Sequence, residues 1–459
     1  MQNPRSLTDG SISRGLVRLA LPILCANVLQ AINGSVNAVW VGHYLGESAL
    51  TALSNTHVVM QLLGGAALGI AMAATILIGQ CIGANNLIEA KRVIGTSLIF
   101  FATISVAISV AGLVFAEPLL ILMMTPPDSL PLAIAYMKMM ALSVPSMYLY
   151  MFVVSVLNGA GNSKTMFYST LLSVAIGVVL NPVFIDGLGS IPRLGIAGSG
   201  LAWFVAQAAS LIALISYLYL RRYPLCLRTY ELCLCRPNWS IVCALTRKGI
   251  PTGAIVFVLS LSGVLMFVLV NRFGIDTTAA FGASLQLWTY VQMPALAIGV
   301  AVTAMVAQNV GAGEWDRVMA VAVTGVVFSV LMTGAVVFLI YALDIYAYRI
   351  FLPAGSPALP IASHINSVVI WSFLPLSICI VLFGAMRATG SVIVPLLINS
   401  ISLLVVRFSV AAALLEVWHS DAIWWSFPIS SVLALVLATL SYTYGGRNRL
   451  RPMISAPLK

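Results

Sequence analysis

Of the chain's 459 residues, 61% are hydrophobic and 8% charged, with a mean hydropathy of +1.03, more apolar surface than a water-soluble globule can hide. That balance excludes a soluble enzyme or binding module and leaves a polytopic membrane protein embedded in lipid. The net charge of +10 is spread through tails and short connections rather than gathered in one patch, so no nucleic-acid partner is expected.

Windows of about 20 apolar residues, the length that crosses the hydrocarbon core, can be placed twelve times. They cover roughly 16–42, 52–79, 94–116, 132–158, 165–186, 196–220, 250–273, 279–308, 318–343, 361–386, 392–415 and 422–444. The first fifteen residues are polar and the first apolar run lacks a small-residue cleavage site, so this span is expected to stay as an anchor. With the N-terminus inside, 18 of the 23 Lys and Arg fall in the tails and the even-to-odd connections, which predicts both termini in the cytoplasm.

The first span contains an amide stripe. At about 100° per residue, Asn27, Gln30, Asn33 and Asn37 share roughly a third of the helix circumference. Amides in hydrocarbon need partners, so the stripe should face other helices or a wet cavity, and it is a candidate ion or substrate wall. In the second span, His57 lies a turn or so from the outer side, and histidine is the residue type suited to proton exchange, which makes it a candidate proton carrier.

The second span ends in GANNLIEAKR, and the eighth in GAGEWDR: a glycine-containing reversal, then acids and bases at a helix start. Neither turn has the GxxxxGK[ST] pattern, so nucleotide-driven transport is not expected. Pro145, Pro182, Pro294 and Pro375 interrupt spans and can kink them, and Asn181 precedes Pro182. Asp186 lies about one turn further along. Tyr148 and its neighbours after Pro145, and Trp288, Tyr290 and Gln292 before Pro294, could form a surface for flat cations. Trp424 and Trp425 suggest an aromatic belt.

The seven cysteines form no disulfide framework. Cys233 and Cys235 in the linker invite a metal reading, but no histidine or second close pair accompanies them, so reduced thiols and no metal are expected. His43, His57, His364 and His419 make no HExxH or comparable constellation, and no catalytic residues are assigned. Lys138 and Arg407 are the basic residues well inside spans, away from their first and last few positions, each needing a partner or a route to water.

Shifting the chain against itself by 228 or 229 residues matches Pro22 with Pro251, Gly46 with Gly274, GQCIGANN with AQNVGAGE, and Gly161 with Gly390. Six spans per half is an even number, so the two halves enter from the same face as a parallel repeat, with a substrate site expected between them. The expected organisation is an N-tail (1–15), an N-lobe of six helices (16–220), a polar cytoplasmic linker (221–248), a C-lobe of six helices (249–445) and a basic C-tail (446–459).

VNAVWVGHYLGESALTALS, GQCIGANN, AQNVGAGEWDR, LNPVFIDGLGSIPRLGIAGSGLA, KGIPTG, NRFGIDTTAAFG and MRATGSVIVP together resemble the multidrug and toxic compound extrusion (MATE) family, in the family's order from about 15 to 445. The resemblance implies an all-α membrane fold of two six-helix bundles, and antiport of cationic or amphipathic drugs against sodium or protons, with no further cofactor. Where the family often has an aspartate in span one, this chain has Asn37; the aspartate before proline in span five is Asn181. Family carboxylates of spans seven and ten are also missing, so no carboxylate lies deep in any of the twelve spans.

A desolvated carboxylate can take up a proton or hold sodium, whereas an amide offers only its carbonyl oxygen. The expectation that the resemblance implies is an inner-membrane, monomeric exporter of small amphipathic or cationic molecules. Its candidate residues are Asn27, Gln30, Asn33, Asn37, His57, Tyr148, Asn181, Asp186, Trp288, Tyr290, Gln292 and Arg407. A lipid-linked precursor flippase and an uncoupled channel remain as alternatives on the same fold.

Overall fold

Among the described residues, twelve helices of 24 to 38 residues are long and apolar enough to cross a bilayer. The structure is a computed structural model that describes residues 7–187, 192–228, 231, 234, 236–353 and 355–448. In chain order the helices are α1 (Ile12–Leu45), α2 (Glu47–Gly83), α3 (Leu87–Leu122), α4 (Leu130–Gly159), α5 (Ser163–Asp186) and α6 (Ile196–Leu220). The second six are α7 (Trp239–Phe273), α8 (Ile275–Ala312), α9 (Trp315–Tyr348), α10 (Ala358–Ala388), α11 (Ile393–Trp418) and α12 (Asp421–Tyr444). Each contains one of the twelve apolar windows read from the sequence. Cys233 and Cys235 lie outside the described residues.

The repeat is written into the backbone as well as the sequence. Gly46 and Gly274, Asn85 and Gly313, and Gly161 and Gly390 all have positive φ, and each pair is 228 or 229 residues apart. Left-handed backbone suits glycine and, among other residues, asparagine. The reversal after α2 therefore turns on Asn85 (φ 56°), the counterpart of Gly313 (φ 79°), and not on Gly83, which is the last residue of the helix. Asn86 then caps α3, its side-chain oxygen accepting the Glu89 N–H at 3.0 Å.

Two compact units divide the chain, Cys25–Ile250 in one and Leu7–Leu24 with Pro251 onward in the other. This differs from lobes beginning at 16 and 249, because the first part of α1 packs with the second unit. The crossover falls close to Pro22 in α1 and at Pro251 in α7, the repeat-equivalent prolines, each of which lacks the N–H of one intrahelical hydrogen bond.

In the first unit α4 packs on α2, α3 and α6, and α6 on α5. Close approach depends on small residues: a Cβ on Gly198 of α6 would lie 2.2 Å from the Phe184 carbonyl oxygen of α5. The linker is tied to this unit by Lys91, whose Nζ lies 2.5 Å from Glu231 Oε1, and by the Asn238 N–H donating to Thr96 Oγ1 at 3.4 Å. The Lys91 ammonium holds the Glu231 carboxyl below the usual carboxylate range.

In the second unit α8 and α10 pack together, with a Cβ on Gly384 predicted to meet the Gly299 carbonyl oxygen at 2.8 Å. The start of the chain is pinned here. Gln308 Oε1 accepts the Leu7 N–H at 2.9 Å, and Arg317 Nη2 donates to the Gly10 carbonyl at 3.2 Å. Phe281, Trp288, Phe373, Trp424 and Phe427 form an aromatic core between α8, α10 and α12. Trp424 is thus a core residue rather than a belt anchor; only Trp425 of that pair is exposed. Two irregular stretches interrupt the helices, a 3-10 turn at Ile370–Ser372 ahead of Pro375 and a π-helical stretch at Ser400–Val406 ahead of Arg407.

Candidate functional site

The amide stripe of α1 does not act as one surface. Gln30 is exposed and Asn27 partly buried, while Asn33 is buried and Asn37 partly buried, one turn apart and facing α5 and α6. Asn33 packs against Gly177 of α5, where a Cβ would stand 3.4 Å from Asn33 Oδ1 and 3.8 Å from Ala206 of α6. One turn on, Asn37 Oδ1 accepts the Ser199 hydroxyl at 2.7 Å, and the buried Tyr136 of α4 faces both side chains.

Three crossings, α2 to α4, lie between α1 and α5, an odd number, so the two helices run in the same direction. Advancing one turn from the Asn33–Gly177 contact reaches Asn37 on α1 and Asn181 on α5, about 6 Å further along each axis. Asn181 is therefore at the depth of Asn37. It is buried, and its Oδ1 has no hydrogen-bond partner among the described residues, nor has Asn33 Oδ1. A buried carbonyl oxygen left unpaired costs about 1–3 kcal/mol, so each of these two has capacity for a further hydrogen bond or a cation.

The donor set is made of neutral amide and hydroxyl oxygens, with no acid in it. Such oxygens suit a hard cation, and none can take up a proton at physiological pH.

A family model, MatE, matches this chain twice, over residues 22–183 and 251–412. The chain belongs to the MATE family. Both matches begin at the repeat-equivalent prolines, and their ends are 229 residues apart as their starts are. Among this MATE protein's relatives, the probable multidrug resistance protein YoeA of Bacillus subtilis strain 168 is 32% identical over 93% of this chain and 92% of that one. The probable multidrug resistance protein NorM of Thermotoga maritima is 26% identical over 88% of this chain and 86% of its own. A crystal structure of a MATE protein in complex with MaL6 matches with a TM-score of 0.89 over 99% of this chain and 100% of that one, at 18% identity. The family and the twelve long apolar helices make it a multi-pass membrane transporter rather than a catalyst.

The remaining candidates of this MATE chain are dispersed. Asp186 is exposed and pairs with Arg193 at 2.8 Å, so it ties down the end of α5 instead of joining Asn181. His57 is exposed on α2. Tyr148 is 1% exposed, with its hydroxyl donating to the Leu63 carbonyl at 2.8 Å, and Trp288 is 2% exposed in the aromatic core. Neither offers a ring face to a drug; both are packing residues here. Tyr290 and Gln292 are partly buried, and Gln292 Nε2 reaches back only to the Trp288 carbonyl at 3.5 Å.

Arg407 of α11 bonds through Nε to Ser430 Oγ at 3.0 Å and lies over the Phe427 ring, 4.3 Å from its centroid. Lys138, the other basic residue well inside a span, is exposed. Sequence reading missed Tyr136, Gly177 and Ser199. Ser199 was visible inside the GIAGSGLA motif, yet its partner was not, because 162 residues separate it from Asn37. A second polar group, on α9 and α10, joins Asp344 to Ser363 and, at 3.0 Å, to Asn366 Nδ2.

Proposed function

We propose that the chain exports cationic and amphipathic drug-like molecules across the inner, or plasma, membrane by alternating access, in exchange for sodium ions. The observation that carries this reading is two buried carbonyl oxygens without a partner among the described residues, Asn181 Oδ1 at the level of the Asn37–Ser199 hydrogen bond and Asn33 Oδ1 one turn before it. Amides at the places of the two expected acids favour sodium over a proton, since they bind the ion through carbonyl oxygens without titrating. Relatives named as multidrug resistance proteins support the substrate class. Both termini lie in the cytoplasm in this reading, and the working unit is a monomer.

Sodium must bind the outward-facing state more tightly than the inward-facing one, because an ion with equal affinity for both states drives nothing. Drug then competes for the reverse preference. The test is ethidium export by purified protein in liposomes, with sodium and proton gradients imposed separately. A sodium gradient alone should drive export, and Asn37→Ala should abolish it. Export driven only by protons and insensitive to Asn37→Ala would move coupling to another residue, and no gradient-driven flux of any cationic dye would remove the drug-exporter reading.

A further inference from the structure

Arg407 stands about 20 Å along α11 from Ile393 and about 16 Å from Trp418, too deep for its side chain to reach either end of the span. A guanidinium at that depth requires a partner or a wet recess. It turns inward, because the ring beneath it, Phe427, is 8% exposed and packs on Trp288 at a centroid distance of 5.6 Å. Only its Nε is engaged, by Ser430; among the described residues its two terminal amino groups have no hydrogen-bond or ion-pair partner.

The side chain is also aimed by the backbone. Residues Ser400–Val406 are π-helical, and the Arg407 N–H bonds to the Ser402 carbonyl, five residues back. One extra residue in the turn rotates everything after it relative to an α-helix, and such stretches concentrate at functional positions. The Trp288 ring, 2% exposed, packs on the same Phe427, and its Nε1–H has no partner among the described residues.

Together these features describe donors in search of an acceptor. The Nε–Ser430 bond and the Phe427 face fix the guanidinium plane, leaving Nη1 and Nη2 as a fork that matches the two oxygens of a carboxylate. We propose that Arg407, held by Ser430 and Phe427, is a carboxylate-recognition site in the second unit, one that binds an aryl carboxylate through its two terminal amino groups. The proposal rests on the exporter reading for its biological use, but binding needs no gradient, so the two can fail separately.

The experiment is equilibrium dialysis of the purified full chain in detergent against 2-naphthoate and against 2-naphthylmethylammonium, which share a ring system and differ in charge. The wild type should bind naphthoate saturably. Arg407→Gln should weaken naphthoate about tenfold and leave the ammonium probe unchanged or tighter, as expected when a charge-assisted fork is lost. Arg407→Lys keeps the charge without the fork and should fall between, which preserves the test should Arg407→Gln fail to fold. Absence of saturable naphthoate binding by the wild type, or equal naphthoate affinity in both variants, would overturn the proposal and leave Arg407 with a purely structural role.

Discussion

Ser199 donates its hydroxyl to Asn37 Oδ1 at 2.7 Å, joining α6 to α1 at the level of Asn181. The bond fixes which end of the Asn37 amide presents oxygen. If that oxygen helps hold sodium, replacing the amide by a carboxylate adds a negative charge without changing the shape. Asn37→Asp should therefore raise sodium affinity and make export depend on pH, because a carboxyl, unlike an amide, is neutral at low pH and charged at high pH. Dye export followed from pH 5 to 8 should be flat in the wild type and rise with pH in the variant. A flat profile in both would place ion binding elsewhere.

Gly177 separates stability from function. A Cβ there would meet Asn33 Oδ1 at 3.4 Å and Ala206 at 3.8 Å, ordinary contact distances, so Gly177→Ala should not strain the fold. Alanine in a helix interior is about 1 kcal/mol better than glycine. The added methyl nonetheless occupies the space beside an unpaired carbonyl oxygen. The expected outcome is an equal or higher unfolding temperature with sodium-driven export reduced several-fold; an unchanged sodium response would show that Asn33 takes no part.

Gly384 is the opposite case. Its missing side chain lets α10 approach α8 until a Cβ would lie 2.8 Å from the Gly299 carbonyl oxygen and 2.7 Å from Thr303 Oγ1. Backbone cannot give way as a flexible side chain can, and overpacking of this kind costs about 1–3 kcal/mol. Gly384→Val should lower the unfolding temperature of the detergent-solubilised protein and shift it toward aggregates in size-exclusion chromatography. Wild-type behaviour would mean that the two helices have slack at this point.

Hydrophobic length made the twelve helices legible, since a span must be apolar for about 20 residues whatever its neighbours do. Self-comparison made the repeat legible as well, down to Gly46 and Gly274, whose shared positive φ is a local demand met by the same residue type. The site was only half legible. Asn33, Asn37 and Asn181 stand out as amides in apolar spans, but Tyr136, Gly177 and Ser199 are ordinary membrane-helix residues until helix packing sets them beside the amides. Aromatic residues misled for a related reason: Tyr148 and Trp288 read the same in sequence whether they line a cavity or fill a core. The exchange of helix starts between units was invisible, because Leu7 and Gln308 are joined by a contact across 301 residues.

The linker tether should respond to acid. Lys91 and Glu231 are 2.5 Å apart with side chains 14% and 17% exposed, and the ammonium holds the carboxyl below its ordinary value. A carboxyl depressed on folding contributes stability above its unfolded pKa of about 4.3, and that contribution is lost as pH falls through its lower folded value. The pair is worth about 1 kcal/mol at most by comparison with similar ion pairs, enough to change the open fraction several-fold. Cys226 reports on it, because its half-buried thiol lies near Lys91 and burial pushes its pKa up. In a chain with the other cysteines changed to serine, Glu231→Gln should speed alkylation of Cys226 several-fold at pH 7. With an acid-tolerant disulfide reagent, the wild type should approach the variant's rate below about pH 4. If the two rates already agree at neutral pH, the tether does not hold the linker.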